Sequence, residues 1–129
     1  MICVDTSVWI EALRGPASAR SFHLDELLDT DVVLMPVPVR LELLLGVSSR
    51  DRATLEAHFA SLEPLVPTAA AWQRAERWVA EAGAAGERFG VMDLLIAATA
   101  AEARASVWSL DADFERMQKL GFVERYAAP

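Results

Sequence analysis

The stretch MICVDTSVWIEALR, residues 1–14, decides how the rest of the chain is read. Met1 to Val4 is an apolar run of strand length, and Asp5 ends it. Thr6 or Ser7 can cap a helix that Gly15 and Pro16 stop after about Arg14. A strand, an acid and a helix open an alternating pattern.

Working outward, Ser18 to Leu28 has helical spacing at Phe22, Leu24, Leu27 and Leu28, and DTD at 29–31 turns the chain into a strand over Val32 to Met35. Pro36 and Pro38 suit a helix entrance, so helices are expected over Val39 to Val47 and Asp51 to Leu62, followed by a short apolar stretch at Leu65 and Val66. Thr68 can cap a helix to about Ala82, with Trp72, Ala75, Trp78 and Val79 on one stripe; GAAGERFG, 83–90, reads as a loop. An Ala-rich helix from Val91 to about Arg104 leads to a strand over Ser106 to Leu110, then a helix over Asp113 to Leu120. Phe122 and Val123 fit a small edge strand. Strands separated by helices specify an α/β fold, a parallel sheet with helices on both faces.

With 129 residues the chain is the size of one ordinary domain, and a single domain over 1–129 is expected. Hydrophobic residues are 53% and charged residues 24%, a globular composition. The net charge is -7, from 19 acids against 12 bases, so the whole-molecule field does not attract polyanions. A nucleic-acid ligand would need local arginines, metal or another subunit. Cys3 is the single cysteine, which excludes an intrachain disulfide and suits a reducing compartment. No stretch approaches membrane-spanning length and no basic segment precedes an apolar run, so a soluble cytoplasmic protein with no membrane contact is expected.

Four carboxylates carry the chemistry: Asp5 after the first strand, Glu42 in VPVRLELLLGV, Asp93 in GVMDLLIAATA and Asp111 after VWSL. Ligands in open parallel sheets bind beyond the carboxyl ends of the strands, where Asp5 and Asp111 fall. Taken singly, each has an ordinary explanation as a turn or helix-cap acid, and Asp93 suits the first turn of its helix. Glu42 is flanked by Val39, Leu41, Leu43, Leu44 and Leu45 and needs a partner, unless it makes an ion pair with Arg40 or another arginine or lies on a helix face that is simply exposed. Asp113 reads as a fifth ligand or, slightly better, as the cap of the last helix. Brought together, such acids form a hard oxygen-lined pocket suited to Mg²⁺ or Mn²⁺.

Other chemistry finds little support. His23 and His58 have no His or Cys neighbour at zinc spacing. Neither GxxxxGK[ST] nor GxGxxG occurs, and Ser7 lacks a GxSxG context.

Four segments, ICVDTSVWIEAL, VPVRLELLLG, MDLLIAATA and VWSLDADFERM, resemble the PIN-domain ribonucleases, most closely the VapC-type toxins of bacterial toxin-antitoxin pairs. They lie in the family's order and span nearly the whole chain. The resemblance implies a three-layer α/β/α domain with a central, mostly parallel sheet of four to five strands. It implies a metal-dependent endoribonuclease, the toxin of a type II toxin-antitoxin pair, with Asp5 and Asp93 as principal ligands of Mg²⁺ or Mn²⁺. Glu42 and Asp111 would complete the catalytic site, with Asp113 adjoining. Thr6 and Ser109 match small hydroxyl positions beside the acids. The implied partners are an RNA substrate, a cognate antitoxin and a second copy of the chain in a homodimer. Arg14, Arg40 and Arg88 are candidates for phosphate contacts. Two other classes stay in view: a receiver-like phosphoacceptor module, for which Lys119 is poorly placed, and a PIN-fold binding protein without catalysis.

Overall fold

The computed structural model describes residues 1–129. Its elements alternate as the opening stretch implies: β1 (Ile2–Val4), α1 (Thr6–Arg14), α2 (Ala19–Leu28), β2 (Val33–Pro36), α3 (Val37–Gly46), α4 (Arg52–Ala60), β3 (Pro64–Leu65), α5 (Ala69–Ala84), α6 (Val91–Glu102), β4 (Ser106–Trp108) and α7 (Ala112–Lys119). The four strands form one parallel sheet in the order β3-β2-β1-β4. The chain steps outward from β1 to β3, then returns past β1 to β4. Right-handed crossovers in opposite directions put the connecting helices on opposite faces, giving three layers.

This order also positions the site. The direction of winding reverses between β1 and β4, and at such a switch point the chains leaving two adjacent strands diverge and open a crevice. Register makes the juxtaposition specific: Val4 pairs with Trp108, so Asp5 and Ser109 leave the sheet side by side.

The core centres on β1 and α6. Cys3, Val4 and Val107 are fully buried, and every residue from Leu94 to Ala100 is buried. Alanines at 97, 98 and 100 keep α6 slender between its neighbours. Burial pushes the Cys3 thiol up to about 12, with the N-terminal charge pulling slightly the other way, so Cys3 packs as a small apolar group.

Three expectations need correction. On α5 the inward row is Ala71, Ala75, Trp78 and Ala82, while Trp72 and Val79 are 54% and 60% exposed. Residues 72 and 79 share a row rotated away from α6, so of the expected stripe only Ala75 and Trp78 face inward, Trp78 stacking on Phe122 at 4.4 Å. Phe122 and Val123 are buried but form no strand; the sheet contact falls at Arg125, opposite Val107. The left-handed Gly121 (φ 78) turns Phe122 toward Trp78 before the backbone reaches β4. Finally, β4 ends at Trp108 instead of Leu110, because hydroxyl groups take the next amides: Leu110 N–H donates to Ser7 Oγ (3.0 Å) and Asp111 N–H to Ser109 Oγ (3.0 Å).

Candidate active site

Asp5 is only 4% exposed, a burial that a carboxylate tolerates only with donors. Ser109 Oγ donates to its Oδ2 at 2.7 Å and Ser7 Oγ donates to the same atom at 3.0 Å. Each hydroxyl donates one hydrogen bond to Asp5 and accepts one from an amide N–H of the turn after β4. Asp5 stands at the N-cap of α1, yet its side chain makes no cap bond. Both donors lie on Oδ2, so Oδ1 has no protein donor.

Glu42 is half-buried on α3 and accepts a hydrogen bond from Thr6 Oγ1 at 2.9 Å. Arg40 does not pair with it; its guanidinium lies 4.9 Å from the Phe59 ring centre. Asp111 is the cap of α7, accepting the Asp113 amide at 2.9 Å. Asp113 is therefore not the cap, a correction to the reading that slightly favoured it. Its carboxylate accepts from the Arg116 guanidinium, which also donates to Glu87 and lies over Phe89.

Asp93 occupies the first turn of α6 and shows most directly how these acids meet. Its pKa is pushed from 3.8 up to about 7, first by burial and then by the charges of Asp5, Asp111, Asp113 and Glu42. All five acids singled out in the sequence thus act in one cluster. Within it, carboxylate oxygens of Asp93, Asp111 and Asp113 lie within 4.8 Å of one another, while Asp5 and Glu42 fall outside that tightest group. The donors are all carboxylate oxygens, the hard set that Mg²⁺ and Mn²⁺ take.

Of the candidate arginines, Arg14 donates to Gly46 O (2.6 Å) and lines a cleft shared with Glu42, whereas Arg88 is exposed in the loop before α6. Lys119 lies in the last turn of α7. Two residues escaped the sequence reading. Ser7 bridges Asp5 and the turn after β4; its signal was a hydroxyl two residues past a strand-end acid. Arg116 steadies Asp113; its signal was an i,i+3 pairing on α7.

The family model described as PIN domain matches residues 2–120. Among solved structures, VapBC2 from Rickettsia felis bound to a promoter DNA fragment superimposes with TM-score 0.84 at 19% identity, covering 100% of both chains. VapBC-5 from Mycobacterium tuberculosis, a member of the VapBC family of toxin-antitoxin systems, gives 0.69 at 27% identity, over 98% of this chain and 97% of that one. VapC20 from the same organism, a sarcin-ricin loop cleaving toxin, gives 0.66 at 21% identity, over 90% and 94%. No curated protein matches the sequence. No helix is long and apolar enough to cross a membrane.

Proposed function

We infer the function from one premise: this chain belongs to the PIN-domain family. It is an endoribonuclease, the VapC-type toxin of a type II toxin-antitoxin pair, and it hydrolyses RNA phosphodiester bonds to 5′-phosphate and 3′-hydroxyl ends. The observation that carries this reading is the crowding of Asp5, Glu42, Asp111 and Asp113 on Asp93, which raises the Asp93 pKa to about 7. A cluster of like charges so arranged is stabilised by a divalent cation.

Mg²⁺ or Mn²⁺ fits this all-oxygen set, with Asp93, Asp111 and Asp113 as the tightest group and Asp5 and Glu42 beside it. When bound, the cation lowers the pKa of a water and offsets charge on the phosphate. The chain's own groups supply the order. Ser7 and Ser109 fix Asp5 through Oδ2, Thr6 holds Glu42, and the α7 cap fixes Asp111. Asp93, held protonated to about pH 7 by burial and its neighbours, would lose that proton to solvent on sharing a cation with Asp111 and Asp113. With a cation held by these acids, the repulsion between RNA and a chain of net charge -7 would be reduced.

The protein works in the cytoplasm, as a homodimer held inactive by its antitoxin, a reading supported by similar structures described as a toxin-antitoxin complex and as a member of the VapBC family of toxin-antitoxin systems. The test uses antitoxin-free protein and total RNA. Cutting that requires Mg²⁺ or Mn²⁺ and is lost in Asp5→Asn is expected; no cutting by the parent, or equal cutting by the variant, refutes the enzymatic reading.

A further inference from the structure

Beside the acid cluster, on the far side of Ser109 and Leu110, lies a cavity of about 390 Å³. That falls in the size range of small-ligand sites, roughly 300–1,000 Å³. It is bounded by the start of α2, the turn after β4 and the segment from Arg125 onward. Its character is opposite to that of the acid cluster: Arg20 and Arg125 are its charged residues, and His23, Trp108 and Tyr126 its aromatic ones.

The aromatic groups form a specific surface. The His23 and Tyr126 rings are parallel within 4°, with centres 5.8 Å apart. With His23 Nδ1–H turned to Glu26 Oε2 (3.4 Å), Nε2 accepts the Tyr126 hydroxyl proton at 2.6 Å. Two parallel planes whose atoms approach to 2.6 Å cannot be stacked at the usual ring spacing. The rings therefore lie side by side and make one extended flat shelf. Buried Trp108 braces both at steep angles, 64° and 63°. The tail is folded back to build this shelf, through Tyr126 N–H to Val107 O (2.8 Å), with Tyr126 packed against the core and half-buried.

Arg20 shares its guanidinium with Glu11, whereas exposed Arg125 makes no ion pair or side-chain hydrogen bond. A free cation next to a flat aromatic shelf matches a nucleotide, whose base stacks while its phosphate meets the guanidinium. Ser109 ties the cavity to the acid cluster, since it lines the one and donates to Asp5 in the other. We propose that this cavity is a nucleotide subsite, in which a base flanking the scissile phosphate lies on the His23–Tyr126 shelf and Arg125 holds its phosphate. The assignment rests on the ribonuclease reading for the meaning of "scissile", but the binding itself is measurable without cleavage.

The test is the affinity of a 5′-labelled single-stranded RNA of mixed sequence for Asp93→Asn protein in Mg²⁺, read by fluorescence anisotropy. Adding Tyr126→Ala should weaken binding about tenfold, the equivalent of about 1.4 kcal/mol. Tyr126→Phe, which keeps the ring, should restore most of it. Arg125→Gln should flatten the dependence on log salt by about 0.7. Arg125 is exposed, so this variant reads the site without disturbing the fold. Parent-like affinity in both Tyr126→Ala and Arg125→Gln, or loss in Tyr126→Phe equal to that in Tyr126→Ala, overturns the subsite. If the parent cuts no RNA, the ribonuclease reading falls while these affinities still decide the cavity.

Discussion

Raising the pH of metal-free protein from about 5 to about 8 should weaken the fold, with Asp93 responsible for a measurable share. Its carboxyl is raised from 3.8 to about 7, by burial first and then by Asp5, Asp111, Asp113 and Glu42. A carboxyl whose folded pKa exceeds its unfolded one binds more protons in the native state between those values. Its stabilising contribution is full below the unfolded pKa and is lost as pH rises through the folded one. At about 1.36 kcal/mol per pH unit the whole span from 3.8 to about 7 is about 4 kcal/mol, of which the part above about pH 5, about 2.7 kcal/mol, is the ceiling here. Asp93 is only half-buried and solvent screens its neighbours, so about 2 kcal/mol is expected, or about 5–10 °C in Tm. Asp93→Asn keeps the shape and removes the titration. In chelator, the variant should melt above the parent at about pH 8 and show a flatter pH slope. Mg²⁺ should stabilise the parent there by about 1.4 kcal/mol at about ten times its Kd. Equal pH slopes in parent and variant, or a less stable variant at about pH 8, would refute the reasoning.

Two further outcomes follow from the hydrogen bonds of the site. Ser109→Ala removes the 2.7 Å donor to Asp5 and the acceptor of the Asp111 amide, and should cost about 1–3 kcal/mol in urea unfolding and slow RNA hydrolysis by roughly 10–100-fold. An unchanged rate would mean that Ser7 alone orients Asp5. Arg116→Ala leaves Asp113 and Glu87 uncompensated and makes the cluster more negative, so the Mg²⁺ concentration for a half-maximal Tm shift should fall by roughly 3–10-fold; a rise would show that Arg116 aids the cation by ordering Asp113.

The order of elements was legible because each strand is a short apolar run bounded by turn residues, and each helix shows its caps or its period. The acids were legible for the same reason, since all but Glu42 fall just past a strand or at a helix entrance. What could not be read was which hydroxyl serves which acid. Ser7 and Ser109 are 102 residues apart, and their joint hold on Asp5 depends on the Val4–Trp108 register. The α5 stripe failed because two residues seven apart also satisfy a helical period. Only the position of α6 chooses between Ala71–Trp78 and Trp72–Val79 as the inward row. The end of β4 failed because propensity runs on through Leu110, while side-chain hydroxyls compete for its amides.

The five acids are not restrained alike, and the difference explains where the need for a cation is felt. Asp5 has two hydroxyl donors, Glu42 has Thr6, Asp111 accepts a backbone amide, and Asp113 has the Arg116 guanidinium. Asp93 receives no hydrogen bond; only the positive end of α6 favours its charge. Each donor holds its carboxylate at a fixed place, so the repulsion among the five cannot relax by movement of those four. It falls on Asp93, the residue whose pKa moves to about 7. Protonation at Asp93 and cation binding to the cluster are thus competing answers to one electrostatic demand. Acidification should therefore weaken divalent binding increasingly steeply as pH falls below the Asp93 pKa, and isothermal titration with Mg²⁺ should show proton release falling from about 0.9 per site at about pH 6 to about 0.1 at about pH 8. Release of no proton at about pH 6 would place the competition elsewhere.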